Sequence, residues 1–284
     1  MKVHYECLAC QVLQCQRIAE FSTEDLEKRR GAMIFSSKLF ADYFNENSIP
    51  AVVGSEIFLR LYEYLGVNDP FKGYKEMSNK LARKVADDLK RKLKIDLNTA
   101  LKLAIAGNVI DFAVGYNPEK IEEDILEMIK EGLYIDESKK LFNTLKMSKI
   151  LLYITDNCGE IYFDKLLLEK IREEFPKLEV YIAGKEDAII NDATVNDLKE
   201  AGIDKFGKII STGTRIVGVP MNKVSRDFIE IFNKADVIIA KGQGNFETLS
   251  EIKDDRVFFL LKAKCKPVAR ELNVPQGAMI CKTL

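Results

Sequence analysis

Apolar positions in the first half of the chain recur with a helical period. This predicts helices over Cys10–Phe21, Ser55–Leu65, Lys72–Lys92, Asp96–Ala106 and Pro118–Glu131. Another helix is expected to open at Ser22, with Asp25 three residues on completing a capping box. No alternating strand pattern interrupts this half. Near residue 148 the character changes, and short apolar runs alternate with helical stretches: residues 149–154, Val180–Ala183, Lys208–Ser211, Asp236–Ala240, Val257–Leu261 and Ala278–Cys281. Strands alternating with helices predict a mostly parallel, doubly wound sheet covered on both faces. The expected architecture is therefore α/β, with an all-helical domain over residues 1–148 and an α/β/α domain over residues 149–284.

Composition narrows the function. Against 43 basic residues stand 44 acidic ones, a net charge of -1, which leaves no electrostatic footprint for nucleic acid or an anionic membrane. The amino terminus, MKVHYECLACQVLQC, lacks the apolar core of a signal peptide, and no run approaches the roughly 20 apolar residues of a membrane span. A cytoplasmic protein working on small molecules is expected. The 6 cysteines are too few and too irregularly spaced for a disulfide framework and are read as thiols. His4 is the only histidine, which removes a Ser-His-Asp triad unless His4 itself is placed for one.

The chemistry concentrates where strands end. Asp156-Asn157-Cys158-Gly159-Glu160 follows the run ending at Ile154 and precedes an amphipathic stretch from Ile161 to Arg172. Open α/β sheets build their sites at such carboxyl ends. Asp156 offers a carboxylate, Asn157 a carbonyl oxygen, and Asp192 would meet them from the loop after the next strand. These hard ligands suit Mg²⁺ or Mn²⁺ better than structural zinc. The same residues would also suit an Asx-turn and helix caps. Glu160 would orient a water if it faces the cleft, or sit on the helix dipole if it does not. Lys241-Gly242-Gln243-Gly244-Asn245 follows another strand, where its glycines and lysine suit an anion, although such a loop is often only a turn. Lys262, at the tip of an apolar strand, is the candidate point charge for a phosphoryl group. Ser211 ends the third strand and is a candidate substrate contact. Cys7-x-x-Cys10 has metal or redox spacing, and a thiolate cluster with Cys265 would form if the amino terminus folds onto the second half; buried inert thiols are the plainer reading.

Taken in order, Cys7-Leu8-Ala9-Cys10, Ala106-Gly107-Asn108-Val109-Ile110-Asp111, Asp156 to Glu160, Asn191-Asp192-Ala193-Thr194, Lys241 to Glu247 and Leu261-Lys262-Ala263-Lys264 resemble the damage-control phosphatase family, long catalogued as a domain of unknown function. The early cysteine pair resembles its archaeal and bacterial branch. The resemblance runs over nearly the whole chain. It implies a helical domain on a three-layer α/β domain and a phosphatase using a divalent ion (Mg²⁺, Mn²⁺, Co²⁺ or Ni²⁺) on small phosphorylated metabolites. It implies that Asn108 and Asp111 hold sugar hydroxyls, where interhelical hydrogen bonding is the alternative. Water is the expected nucleophile, with Asp156 as rival; the chain lacks the DxD pattern of haloacid-dehalogenase-type phosphatases. An S-adenosylmethionine-dependent carboxyl methyltransferase and a non-catalytic metabolite-binding protein are the other classes.

Overall fold

The computed structural model describes residues 1–107 and 120–284. Helices α1 (Tyr5–Ser22), α2 (Leu26–Tyr43) and α3 (Pro50–Leu65) close around Cys15, Ile18, Ala32, Phe40, Ile57 and Leu61. Helix α2 starts differently from expectation. Asp25 is itself the N-cap, accepting from the amides of Glu27 at 2.9 Å and Lys28 at 3.3 Å. Ser22 instead ends α1, and its hydroxyl donates back to the Ile18 carbonyl at 2.6 Å. A serine bonded to the preceding turn is not free to cap the next helix.

Next come α4 (Lys72–Lys92), α5 (Leu97–Gly107), α6 (Ile121–Glu131) and α7 (Ser138–Met147), with strand β1 (Ile135–Asp136) before α7. This strand corrects the expectation that none precedes residue 149. Two residues are too few to show alternation, and long-range pairing with the last strand of the chain holds them.

The second half contains β2 (Ile150–Ile154), α8 (Ile161–Glu174), β3 (Glu179–Gly184), α9 (Val195–Glu200), β4 (Lys208–Ser211), α10 (Arg226–Lys234), β5 (Val237–Lys241), α11 (Gly242–Leu249), β6 (Val257–Lys262), α12 (Lys266–Leu272) and β7 (Met279–Thr283). All six apolar runs are strands. The sheet has 7 strands in the order β1-β7-β6-β5-β2-β3-β4. Pairing is parallel throughout except between β6 and β7.

Strand alternation sends side chains to two cores. Leu151, Tyr153, Ile239 and Leu260 share one with Leu101 and Ala104 of α5 and Phe163 and Leu167 of α8. Leu152, Ile154, Ile238 and Phe259 share the other with Phe228, Phe246 and Val268. Helices on both faces make three layers. The first core also takes in Leu89 of α4 and Ile125 of α6, so apolar packing continues across residue 148. Among the described residues no helix is long and apolar enough to cross a membrane.

Topology positions the site. From β2 the chain winds outward through β3 and β4, then returns to the other side of β2 through β5 and β6. The loops after β2 and β5 thus part in opposite directions and leave a crevice at their carboxyl ends, where ligands bind in open α/β sheets.

Candidate active site

Two loops are joined backbone to backbone at that crevice. Asn157 and Asp192 form an isolated antiparallel bridge. On either side, the Ala193 amide donates to the Asp156 carbonyl at 2.8 Å and the Cys158 amide to the Asn191 carbonyl at 2.9 Å. These bonds bring Asp156, Asn157 and Asp192 together from loops that are distant in sequence. Helix capping does not account for them. Thr194 caps α9, closing a capping box with Asp197. The cap position of α8 belongs to Glu160, whose side chain makes no capping bond.

The pair of carboxylates is buried, with Asp156 8% exposed and Asp192 1%. Burial pushes the Asp156 carboxyl well above the ordinary range, with the negative charges of Glu160 and Asp192 adding to the effect. Burial also raises Asp192, to about 6, although Lys185 and Lys75 pull it back. The Lys185 ammonium lies 3.7 Å from Asp192 Oδ2, and that oxygen has no hydrogen-bond partner among the described residues. Asn157 Nδ2 donates to Asp156 Oδ2 at 2.9 Å. Crowding buried carboxylates costs free energy that a cation between them would offset.

Gly242 walls the other side. Its φ of 74° falls in the left-handed region, and a Cβ built on it would stand 1.9 Å from Asp156 Oδ2. Only glycine lets the β5 loop lie against that carboxylate. Gly244 packs against Val217 and Gly218. Asn245 donates through Nδ2 to the carbonyls of Lys241 at 2.7 Å and Thr155 at 3.1 Å, while its buried Oδ1 has no hydrogen-bond partner among the described residues.

Lys241 corrects the expectation of an anion contact. It is 0% exposed, and its ammonium pairs with Glu160 and with Asp164 Oδ1 at 2.7 Å while donating to the Ala104 carbonyl at 2.9 Å. Burial opposes its charge, but Asp164 and Glu160 outweigh burial and raise its pKa. Tyr153 completes the group by donating to Asp164 Oδ1 at 2.7 Å. Lys241 is thus an internal tie between α8, β5 and α5, and Glu160 is drawn into that tie.

Lys262 ends β6 with its ammonium 3.5 Å from Met128 Sδ, and burial with the like charge of Lys264 lowers its pKa. Lys264, Lys241 and Lys185 are among the cations whose charge acts on Asp156. Gln243 Oε1 accepts from the Lys264 amide at 2.6 Å and so ties the turn after β6 to the residue beside Gly242. Ser211, at the tip of β4, accepts from the Gly213 amide at 2.9 Å and so closes its own turn. Asn108 and Asp111 lie outside the described residues. Cys10 and Cys265 lie near enough to Cys7 for their charges to act on it. Cys7 is buried, Cys10 exposed and Cys265 half-buried, and no three His, Cys, Asp or Glu side chains among the described residues gather to hold a metal. Burial raises the Cys7 and Cys265 thiols, which keeps them protonated.

The model of the damage-control phosphatase ARMT1-like domain matches residues 3–280. The chain belongs to this family. It is 65% identical over 281 residues to a damage-control phosphatase of Pyrococcus horikoshii, covering 99% of this chain and 98% of that one. A damage-control phosphatase of Archaeoglobus fulgidus is 32% identical over 292 residues, with both chains covered in full at 100%. The crystal structure of a DUF89-family protein of Pyrococcus horikoshii superposes with a TM-score of 0.95 at 64% identity, covering 100% of this chain and 99% of that one.

Within this damage-control phosphatase fold the donor set fits a hard divalent cation. Two carboxylates and one amide oxygen come from Asp156, Asp192 and Asn157, and Asp192 Oδ2 is buried without a hydrogen bond among the described residues. Several supporting groups escaped sequence reasoning. Lys185 directly follows β3, as lysines follow or end other buried strands, and that position was its signal. Asp164 lies four residues past Glu160 on an otherwise apolar helix face, a pattern that marks a buried polar pair. Asn79 of α4 had no local signal; its Oδ1 accepts the Gly159 amide at 2.6 Å and ties the acidic loop to the helical layer.

Proposed function

We propose that this member of the family is a metal-dependent phosphomonoesterase acting on small phosphorylated metabolites. One observation carries the reading: two buried carboxylates and an amide from separate loops converge in the crevice, where Asp192 Oδ2 accepts no hydrogen bond among the described residues. A divalent cation held by Asp156, Asn157 and Asp192 would polarise a phosphoryl oxygen and acidify a coordinated water.

The remaining work falls to the chain. Lys264, whose charge is felt at Asp156, would neutralise charge developing on the phosphoryl oxygens. Asn245 Oδ1 would accept a hydrogen bond from the substrate or a water. Gly242 leaves room for Asp156, and Lys241 holds Glu160 and Asp164 in place, which makes these acids positioning groups. Hydrolysis joins a water oxygen to phosphorus, breaks the ester P–O bond and releases an alcohol that takes up a proton.

The test is phosphate release from a panel of phosphometabolites by chelated protein reloaded in turn with Mg²⁺, Mn²⁺, Co²⁺ and Ni²⁺. Turnover is expected only after reloading. Undiminished turnover after chelation would remove the metal from the reading. Binding of S-adenosylmethionine with no phosphate released under any metal would move it to methyl transfer.

A further inference from the structure

Beyond the acidic crevice, the carboxyl end of β6 opens on a cavity of about 430 Å³ lined by Lys262, Lys264, Gln276 and Gly277. A neighbouring cavity of about 630 Å³ shares three of these residues and is walled by Met128, Glu131, Tyr134 and Pro275 among others. Together they are large enough for a phosphorylated sugar. Their polar chemistry is unbalanced. The only hydrogen-bond acceptor that Lys262 reaches among the described residues is the thioether of Met128 at 3.5 Å, and a thioether is a weak acceptor. No carboxylate of the described residues comes within ion-pair distance, although Glu131 and Asp124 lie near enough to favour its charge. The second lysine, Lys264, adds a like charge.

Lys264 also links this cavity to the acidic crevice. It lines the cavity, its charge acts on Asp156, and its backbone is fixed from both sides. Gln243, the neighbour of Gly242, accepts from its amide at 2.6 Å, and Gln276 donates to its carbonyl at 2.8 Å. A substrate with its phosphoryl group at Asp156 and Lys264 would extend toward Lys262.

We propose that the cavity at the end of β6 is a second anion subsite, in which Lys262 binds a phosphate or carboxylate at the far end of the substrate. The enzyme then selects small metabolites with two anionic ends. This rests on the phosphatase reading for the first end. An anion there would satisfy donors that a thioether leaves underused, in a half-buried setting where charge-assisted bonds are strong. Lys262 would therefore determine specificity.

Wild type and Lys262→Met, which keeps the buried stem, are compared on two matched pairs with the same divalent ion. One pair is 6-phosphogluconate against glucitol 6-phosphate, and the other is fructose 1,6-bisphosphate against fructose 6-phosphate. The first reports a carboxylate and the second a phosphate. Wild type is expected to favour the member with two anionic groups in at least one pair. Lys262→Met should raise its KM by about 10- to 100-fold and abolish the preference, with Lys262→Arg rescuing part of it. Identical KM ratios in wild type and Lys262→Met would overturn the subsite. Calorimetric titration of the same two-ended anions separates this from failure of the phosphatase reading. If wild type hydrolyses nothing, weaker binding by Lys262→Met still supports the subsite and equal binding overturns it. Should Lys262→Met not fold, Lys262→Gln replaces it in both measurements.

Discussion

Gly242 and Asp156 occupy adjoining space so tightly that a Cβ on the glycine would lie 1.9 Å from the carboxylate oxygen. The loop after β5 therefore shapes the site built by the loop after β2. Gly242→Ala should displace Asp156 and strain a backbone held at a φ of 74°. A loss of stability of about 1–3 kcal/mol is expected. Metal affinity, read by calorimetry, should fall at least tenfold. Affinity within twofold of wild type would mean that Asp156 needs no fixed position.

Removing either carboxylate tests the ion directly. Asp156→Asn and Asp192→Asn should each abolish the rise in melting temperature that a divalent ion is expected to give wild type, since only a ligand bound to the native state stabilises it. Circular dichroism should remain native. A variant that still gains the full rise would exclude its residue from the ligand set.

Lys241 is predicted to be structural. Lys241→Met leaves Glu160 and Asp164 buried without their cation, which typically costs about 3–5 kcal/mol. Adding Glu160→Gln and Asp164→Asn should recover part of that loss, because no uncompensated charge then stays inside. Urea unfolding of the single and triple variants makes the comparison. A single-variant cost below about 1 kcal/mol, the range of exposed pairs, would contradict the tie.

Lys264→Ala should lower kcat by about 100-fold with little change in metal affinity, the usual consequence of losing one preorganised charge contact. Lys264→Arg should restore only part, since a planar guanidinium does not replace a compact ammonium. Stopped-time phosphate assays at saturating metal and substrate decide it. Unchanged kcat would leave the phosphoryl group without a lysine from this turn.

Glu247 supplies a pH dependence away from the acidic loop. Burial raises its carboxyl from 4.5 to about 7, against the opposing pull of the Ala51 amide and the N-terminal ammonium. Stability associated with the protonated form is present below about 4.5 and lost as pH rises through about 7. Glu247→Gln should therefore change stability little at pH 5 and raise it at pH 8, by up to about 3 kcal/mol. Thermal melts at the two pH values check the sign; equal shifts at both would show that Glu247 does not titrate there.

Much of this protein was legible before folding because it is local. The helical period before residue 148, the six apolar runs after it and the acidic turn behind β2 all follow from spacing along one stretch of chain. The order of its motifs was enough to suggest its family. What the sequence left open required contacts between distant residues. Whether Asp192 caps a helix or faces Asp156 depended on Thr194 taking the cap and on the bridge to Asn157. Position near a strand end favoured Lys262 over Lys241 as the phosphoryl contact and singled out no role for Lys264. Tertiary packing sealed Lys241 among acids, left Lys262 against a thioether and tied Lys264 to Gln243 beside Gly242. A side chain's chemistry is written in the sequence, but its burial and the charges around it come from elements that meet only when the sheet closes on its helices.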